Sequence, residues 1–102
     1  MKDAVFVALA DPTRRHLLER LAMGPTTATK LSVRHPLTRQ AVVKHLAALA
    51  DAGMVAKERR GREVRYRMRG EPLVEATAWL STLEARWERR MMRLKRYVEE
   101  ES

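Results

Sequence analysis

The sequence predicts a single domain that is mainly α-helical and contains one β-hairpin. Its length of 102 residues suits one modest core. Apolar residues recur at helical spacing over most of the chain, and the period changes to two only between residues 55 and 68. Hydrophobic residues make up 45% of the chain, which excludes a disordered composition.

The first two predicted helices are separated by Asp11 and Pro12. Residues 3–10 form the first helix, with Asp3 near its start. Asp11 can cap the second helix, and Pro12 suits the first helical position. The inward positions of this helix are Leu17, Leu18 and Leu21, with Met23 just before the stop at Gly24-Pro25.

Two further helices follow. Thr26 or Thr27 caps the third, whose inward positions are Ala28, Leu31 and Val33, and His35-Pro36 breaks it because the residue before proline avoids the helical region. Thr38 caps the fourth. The inward positions of the fourth helix are Val42, Leu46 and Leu49, and Gly53 ends it.

A β-hairpin with a basic tip is predicted next. Val55 begins one strand, and Val64, Tyr66 and Met68 alternate with charged residues in the other. Arg60-Gly61-Arg62 forms the turn between the two strands.

A long helix over residues 71–99 completes the chain. It begins at Glu71-Pro72 and would be about 43 Å long. Its apolar residues are spaced by three or four, close to a heptad seam, at Leu73, Ala76, Leu80, Leu83, Trp87, Met91, Leu94 and Val98.

The charge of the chain predicts an anionic partner, most simply nucleic acid. Lys and Arg total 21 and Asp and Glu total 13, for a net charge of +8. Residues 57–69 alone carry seven basic and two acidic side chains, whereas residues 70–102 carry a net charge of −1. The positive charge is therefore concentrated in the hairpin.

The third and fourth helices form a helix-turn-helix, which places the start of its second helix in the DNA major groove. Arg39 and Lys44 are candidates for guanine or phosphate contacts, and Gln40 for adenine. Val43 suits a thymine methyl group, and Thr38 is a candidate phosphate ligand as well as the cap.

The hairpin lies beside this motif as a wing. Arg59, Arg60 and Arg62 at its tip are the candidates for contacts to backbone phosphates or the minor groove. The expected organisation is one domain over 1–102, with the helix-turn-helix at about 27–53, the wing at about 54–69 and the C-terminal helix at about 71–99.

Three segments resemble the ArsR-type winged helix-turn-helix transcriptional regulators: ALADPTRRHLLERL at 8–21, LTRQAVVKHLAALADAGMV at 37–55 and ERRGREVRYRM at 58–68. The resemblance covers almost the whole chain in the right order. It implies a homodimeric DNA-binding repressor that recognises an inverted repeat near a promoter. The position of Val43 often holds Ser or Thr in this family, and valine donates no hydrogen bond, so an apolar contact or simple packing is expected there.

The resemblance also implies dimerisation through the first and last helices, whose apolar residues exceed what one small monomer covers. Trp79 and Trp87 are expected to be buried in the core or at this seam. Met91 and Met92 beside Trp87 leave a ligand pocket open as an alternative, although dimer core is favoured. The predicted interface residues are Phe6, Leu9, Leu80, Leu83, Trp87, Met91 and Leu94.

No cofactor, metal or catalytic activity is predicted. The chain has no cysteine, which excludes a thiolate metal site of the kind that many ArsR-type sensors use, and its last helix has no histidine. His45 is expected to be structural, and His16 and His35 to lie at the surface or at helix ends. No phosphate loop, serine elbow or acid–base pair is present in the sequence, so the chain is not expected to be an enzyme.

The remaining expectations concern location and rival functions. The start of the chain lacks the pattern of a signal peptide, and no apolar run reaches the roughly 18–20 residues of a membrane span, so a cytoplasmic protein without a membrane partner is expected. A protein-interaction adaptor that works through its long last helix is the alternative function. An RNA binder is less favoured because the chain has only one Phe, two Trp and two Tyr. The sequence names neither an effector ligand nor an operator.

Overall fold

The computed structural model describes residues 2–33 and 36–101 and contains five helices and three strands in this part of the chain. The fold class is as predicted: a helical domain with a β-hairpin wing and a long C-terminal helix. In chain order the elements are α1 (Lys2–Leu9), α2 (Pro12–Leu21), β1 (Thr26–Thr27), α3 (Ala28–Val33), α4 (Arg39–Asp51), β2 (Val55–Arg60), β3 (Glu63–Met68) and α5 (Glu71–Glu101).

The core lies where α1 to α4 meet the sheet. Every buried side chain among the described residues is apolar, except for Tyr66, whose ring carries a hydroxyl group. Such a core is stabilised by the apolar surface area that folding removes from water. Few of its side-chain polar groups need a hydrogen-bond partner. The largest fully buried residues are Leu17, Leu31, Leu46, Leu49, Met54, Val5 and Val42.

The cap of α2 forms as the sequence predicts. The Asp11 carboxylate accepts hydrogen bonds from the backbone N–H groups of Thr13 (2.8 Å) and Arg14 (3.2 Å), and Pro12 occupies the first turn. Desolvation raises the pKa of Asp11, but these hydrogen bonds and the electrostatic influence of His45 and Arg14 outweigh it and lower that pKa below its usual value. The ionised carboxylate is therefore the form that the folded chain stabilises.

Two arginines of α2 hold the ends of neighbouring helices. Arg15 donates to the carbonyl of Leu9 at 2.7 Å, and Arg20 donates to the carbonyl of Leu31 at 2.9 Å. Helix ends leave carbonyls without intrahelical partners, and these guanidinium groups satisfy two of them. The second contact fixes α3 against α2 and so fixes the first helix of the helix-turn-helix.

The fourth helix has both predicted boundaries. The Thr38 hydroxyl accepts a hydrogen bond from the N–H of Ala41 at 3.1 Å. At the other end Gly53 adopts a φ of 79°, and the N–H of Met54 donates to the carbonyl of Leu49 at 3.0 Å. This is a Schellman ending, in which glycine supplies the left-handed conformation that reverses the chain into β2.

The sheet has three strands rather than the two of the predicted hairpin. β2 and β3 pair from Val55 opposite Met68 to Arg60 opposite Glu63, which leaves a two-residue turn with Gly61 at a φ of 61°. The missed strand is Thr26–Thr27, which pairs with the other edge of β3 and gives the order β1-β3-β2. Two residues are too short for a period-two pattern, so the sequence carries no signal for this strand.

One predicted inward position is wrong, since Val33 is 78% exposed at the end of α3. Met23, which follows the end of α2 at Leu21, is 91% exposed. Thr27 rather than Thr26 caps α3, since its hydroxyl accepts a hydrogen bond from the N–H of Lys30 at 3.2 Å. The predicted break at His35-Pro36 concerns a histidine outside the described residues.

The last helix extends beyond the core. Its 31 residues give a length of about 46 Å, and Ala76 is its one buried residue. Trp79 contacts Phe6 of α1 with ring centroids 5.4 Å apart, but Trp79 and Trp87 are not buried in the core of this chain. The chain measures 70 × 26 × 21 Å, and its long dimension reflects this projecting helix.

Candidate nucleic-acid interface

The start of α4 presents an uncovered polar surface. Thr38, Arg39, Gln40 and Lys44 are all exposed and line one shallow depression together with Val43. These are the five residues that the sequence selected on this helix. The opposite side of α4 is fully buried, so the helix is held by its apolar face while its first turn faces outward.

Val43 differs from its four neighbours. It is partly buried and packs against the core cluster, while one side still faces the depression. Most of the Val43 side chain therefore packs inside the protein, and packing is one of the two roles expected for a valine there.

A groove of about 490 Å³ separates α3 and α4 from the wing. Arg39 lines it from α4, and Arg62 lines it from the wing turn. Three residues that sequence reasoning missed also line it: Thr29 and Lys30 of α3 and Lys57 of β2. Four cationic side chains and one acidic side chain, Glu63, therefore face one concavity, and its excess of positive charge suits a polyanion.

A hydrogen bond between α3 and α4 orients Arg39. Its Nε donates to the Thr29 hydroxyl at 3.1 Å, which links the two helices of the helix-turn-helix at their outer surface. The four terminal N–H bonds of the guanidinium group are left available, because the contact uses only Nε.

Ion pairs divide the basic residues of the wing into two groups. Arg67 contacts Glu58 at 2.9 Å, and the longer pairs are Arg65 with Glu63 (3.7 Å) and Arg69 with Glu71 (3.5 Å). Within residues 2–33 and 36–101, no carboxylate within 4 Å pairs with the other four, which we call the wing cations: Lys57, Arg59, Arg60 and Arg62.

The wing cations include all three arginines that the sequence selected. Arg62 lines the groove, whereas Arg59 and Arg60 lie exposed on β2 outside it, and Arg59 donates to the carbonyl of Gly61 at 3.4 Å. Sequence reasoning missed Lys57, although the alternation of residues along the strand could have indicated it. Lys57 lies directly opposite the buried Tyr66, and residues opposite each other in a hairpin share one face of the sheet. Lys57 therefore lies on the face of β2 that borders the groove.

Two of the three histidines, His16 and His45, lie among the described residues. His45 is half-buried, and its Nδ1 accepts a hydrogen bond from Arg14 Nε at 3.3 Å, which joins α4 to α2 in a structural role. His16 is exposed with Nδ1 3.9 Å from a Glu19 oxygen. The part of the chain that the structure describes contains no group of three or more histidine, aspartate or glutamate side chains close enough to hold an ion, and none of its helices is long and apolar enough to cross a membrane.

The predicted dimer residues fall into two groups. Phe6 and Leu9 are partly buried against the core. The others lie uncovered on one face of α5, where five of the large apolar side chains are between 42% and 61% exposed. We call this face the outer stripe, and it consists of Leu80, Leu83, Trp87, Met91, Leu94 and Val98.

Comparison with known proteins places the chain in a family. Residues 9–58 match a family model described as a helix-turn-helix domain. The chain is 40% identical over 79 residues to YuzN of Bacillus subtilis, an uncharacterised HTH-type transcriptional regulator, with 71% of this chain and 86% of the relative covered. It is 29% identical over 76 residues to the transcriptional repressor SdpR of the same organism, with 74% and 84% covered.

A solved structure agrees with these matches. An ArsR-like transcriptional regulator from Rhodococcus sp. RHA1 superposes with a TM-score of 0.78 at 39% identity, covering 93% of this chain and 90% of that one. The ArsR-like name of that regulator and the HTH-type names of the relatives agree with the three segments that resemble this family. They also agree with the chain order of helix-turn-helix, wing and long helix. The chain belongs to the ArsR-type family of winged helix-turn-helix transcriptional regulators, which bind double-stranded DNA.

Proposed function

We propose that this chain is a homodimeric repressor that binds an inverted-repeat operator. The observation that carries the proposal is the juxtaposition, across one groove, of the exposed start of α4 and two of the wing cations, Lys57 and Arg62. In this proposal residues 27–53 read the DNA, residues 54–69 form the wing, and residues 71–99 dimerise. In this proposal the chain acts in the cytoplasm.

Base reading is assigned to the first turns of α4. Arg39 carries two terminal nitrogens that suit the O6 and N7 acceptors of guanine. Its hydrogen bond to Thr29 already orients the side chain, so less conformational entropy is lost on binding. Gln40 suits adenine, and Lys44 suits guanine or a phosphate. Thr38 positions a phosphate at the helix start, where unpaired N–H groups favour anions.

Phosphate contacts are assigned to the wing. Arg59, Arg60 and Arg62 form no ion pair within 4 Å with a carboxylate of the described residues, so DNA binding releases counterions rather than breaking such pairs. Such contacts position the protein without reading sequence. Affinity is therefore expected to fall steeply with salt concentration.

Dimerisation is assigned to the outer stripe together with Phe6 and Leu9. A second copy related by a twofold axis covers an identical stripe, and the same symmetry matches an inverted repeat. The two recognition helices then enter successive major grooves about 34–36 Å apart. Repression is supported by the relative named as a repressor, and a dimer seated on a promoter excludes the polymerase from it.

The test begins with selection of bound genomic fragments and their consensus sequence. Competition gel shifts then compare Arg39→Ala with Arg60→Ala on the selected operator and on random duplex. The first variant is expected to lose specific affinity by about 1–3 kcal/mol with little loss of non-specific binding. The second is expected to weaken both by similar factors.

The outcomes separate the candidate functions. Loss of operator preference in Arg39→Ala supports base reading by α4. A purified dimer that binds its selected fragments no better than random duplex contradicts the repressor and favours the adaptor.

A further inference from the structure

The charge of α5 is segregated along its length. Residues 71–85 contain three glutamates and no basic side chain, and residues 97–101 contain three more glutamates. Between them, residues 86–96 contain six basic side chains and only Glu88. The nearly neutral total of this helix therefore conceals a strongly basic segment, far along the chain from the wing.

Four arginines of this segment form one row. Arg86, Arg89, Arg93 and Arg96 are separated by three, four and three residues, the spacing that aligns side chains on one helix face. We call this row the arginine ridge. At 1.5 Å per residue it is about 15 Å long.

The arginine ridge is free to bind an external partner. All four side chains are exposed, and none takes part in an ion pair with the described residues within 4 Å. At about 100° per residue, the ridge lies about 140° around the helix from the outer stripe. A partner helix packed on the outer stripe therefore leaves the ridge open to solvent.

We propose that the arginine ridge binds backbone phosphates of double-stranded DNA, as a second electrostatic contact in addition to the winged helix-turn-helix. Guanidinium groups are suited to phosphate oxygens because their planar donors engage two oxygens at once. A DNA strand presents one phosphate per about 3.4 Å of helix axis, so the ridge faces about four of them. The glutamates at both ends repel the duplex and confine the contact to this segment.

The proposal takes from the proposed function only that DNA is the ligand, and it assigns no base reading to the ridge. Its contribution is independent of sequence, because phosphates carry no sequence information. Removing a ridge arginine therefore weakens binding to operator and to random duplex by the same factor.

The experiment compares Arg93→Gln with Lys95→Gln in the full chain. Both substitutions remove one positive charge from exposed positions of the same helix turn, but Lys95 lies about 160° away from Arg93 around the helix. Fluorescence anisotropy with a random 40-bp duplex over a range of salt concentrations measures the slope of log affinity against log salt. The slope is expected to shrink by about 0.9 in Arg93→Gln and by about 1.8 in R89Q/R93Q, with Lys95→Gln unchanged.

Three results overturn the proposal. The first is an equal slope for Arg93→Gln and Lys95→Gln. The second is a wild-type slope in R89Q/R93Q, with circular dichroism showing an intact helix. The third is an unchanged DNA slope combined with loss of binding to vesicles of anionic phospholipid, which would assign the ridge to a membrane surface. Each of them leaves the operator preference of the wild type and its loss in Arg39→Ala intact, so failure of the ridge is distinguishable from failure of the repressor.

Discussion

Helices α4 and α5 carry the same kind of apolar pattern but have different surroundings. The apolar positions of α4, Val42, Leu46 and Leu49, are completely buried by α2, α3 and the sheet. On α5, the same spacing of four and three residues recurs at Trp87, Met91 and Leu94, which remain 61%, 42% and 50% exposed. Helical periodicity therefore identifies which side of a helix is apolar, but it does not identify whether the covering surface lies in the same chain.

The largest effect that tests this comparison is expected at Leu46. Leu46→Ala should lower the free energy of unfolding by about 2–5 kcal/mol, because it opens a cavity between tightly packed elements. Leu94→Ala, measured at a concentration that dissociates any dimer, should lower the free energy of unfolding by less than about 1 kcal/mol. Urea unfolding followed by far-UV circular dichroism measures both, and equal losses would contradict the contrast between the two helices.

The next largest effect is expected on association. Leu94→Gln should raise the dimer dissociation constant at least about tenfold, because each of two symmetry-related copies buries an amide against apolar side chains. Met92→Gln is the matched control. Met92 is similarly exposed, at 55%, but it lies on a different face of α5 from the outer stripe.

Sedimentation equilibrium over a micromolar concentration range distinguishes the two variants. A clean wild-type monomer, or dissociation constants that rise together in both variants, would remove the outer stripe from the interface. Circular dichroism of each variant checks that α5 is still helical.

The smallest effect concerns the cap of α2. The pKa of Asp11 is lowered in the folded chain, so the stabilisation it provides is complete above the unfolded pKa and is lost as the pH falls through the folded pKa. Asp11→Asn keeps a capping side chain that does not titrate. Its urea midpoint should therefore fall less than that of the wild type between pH 7 and pH 3, and parallel decreases would show that Asp11 is not the group responsible.

The candidate interface was predictable wherever local sequence decides the outcome. Thr38 caps α4 because a hydroxyl reaches the N–H three residues on, a contact made within one turn. Arg39 and Gln40 are exposed because the apolar side of the same helix is the side that is buried. The two caps and the glycine at the end of α4 are equally local, and all three agree with the sequence interpretation.

The missed residues depend on elements that meet in space. Thr29 receives the Arg39 hydrogen bond because α3 and α4 pack side by side, ten residues apart in the sequence. Thr26 and Thr27 become a strand only because β3, about forty residues later, offers a free edge. The charge count of the wing was also incomplete, since the pairing of Arg67 with Glu58 depends on the strand register.

The sequence by itself determined the order of the helices and of the two hairpin strands, the caps of α2 and α4 and the apolar side of α4, because these depend on interactions within a few residues. It also determined the family, through three segments in the right order. Only the tertiary structure decided which apolar sides are covered, which cations lack a carboxylate and which residues share the groove. Those outcomes depend on distances between groups far apart in the chain, and such distances are set only when the core has packed.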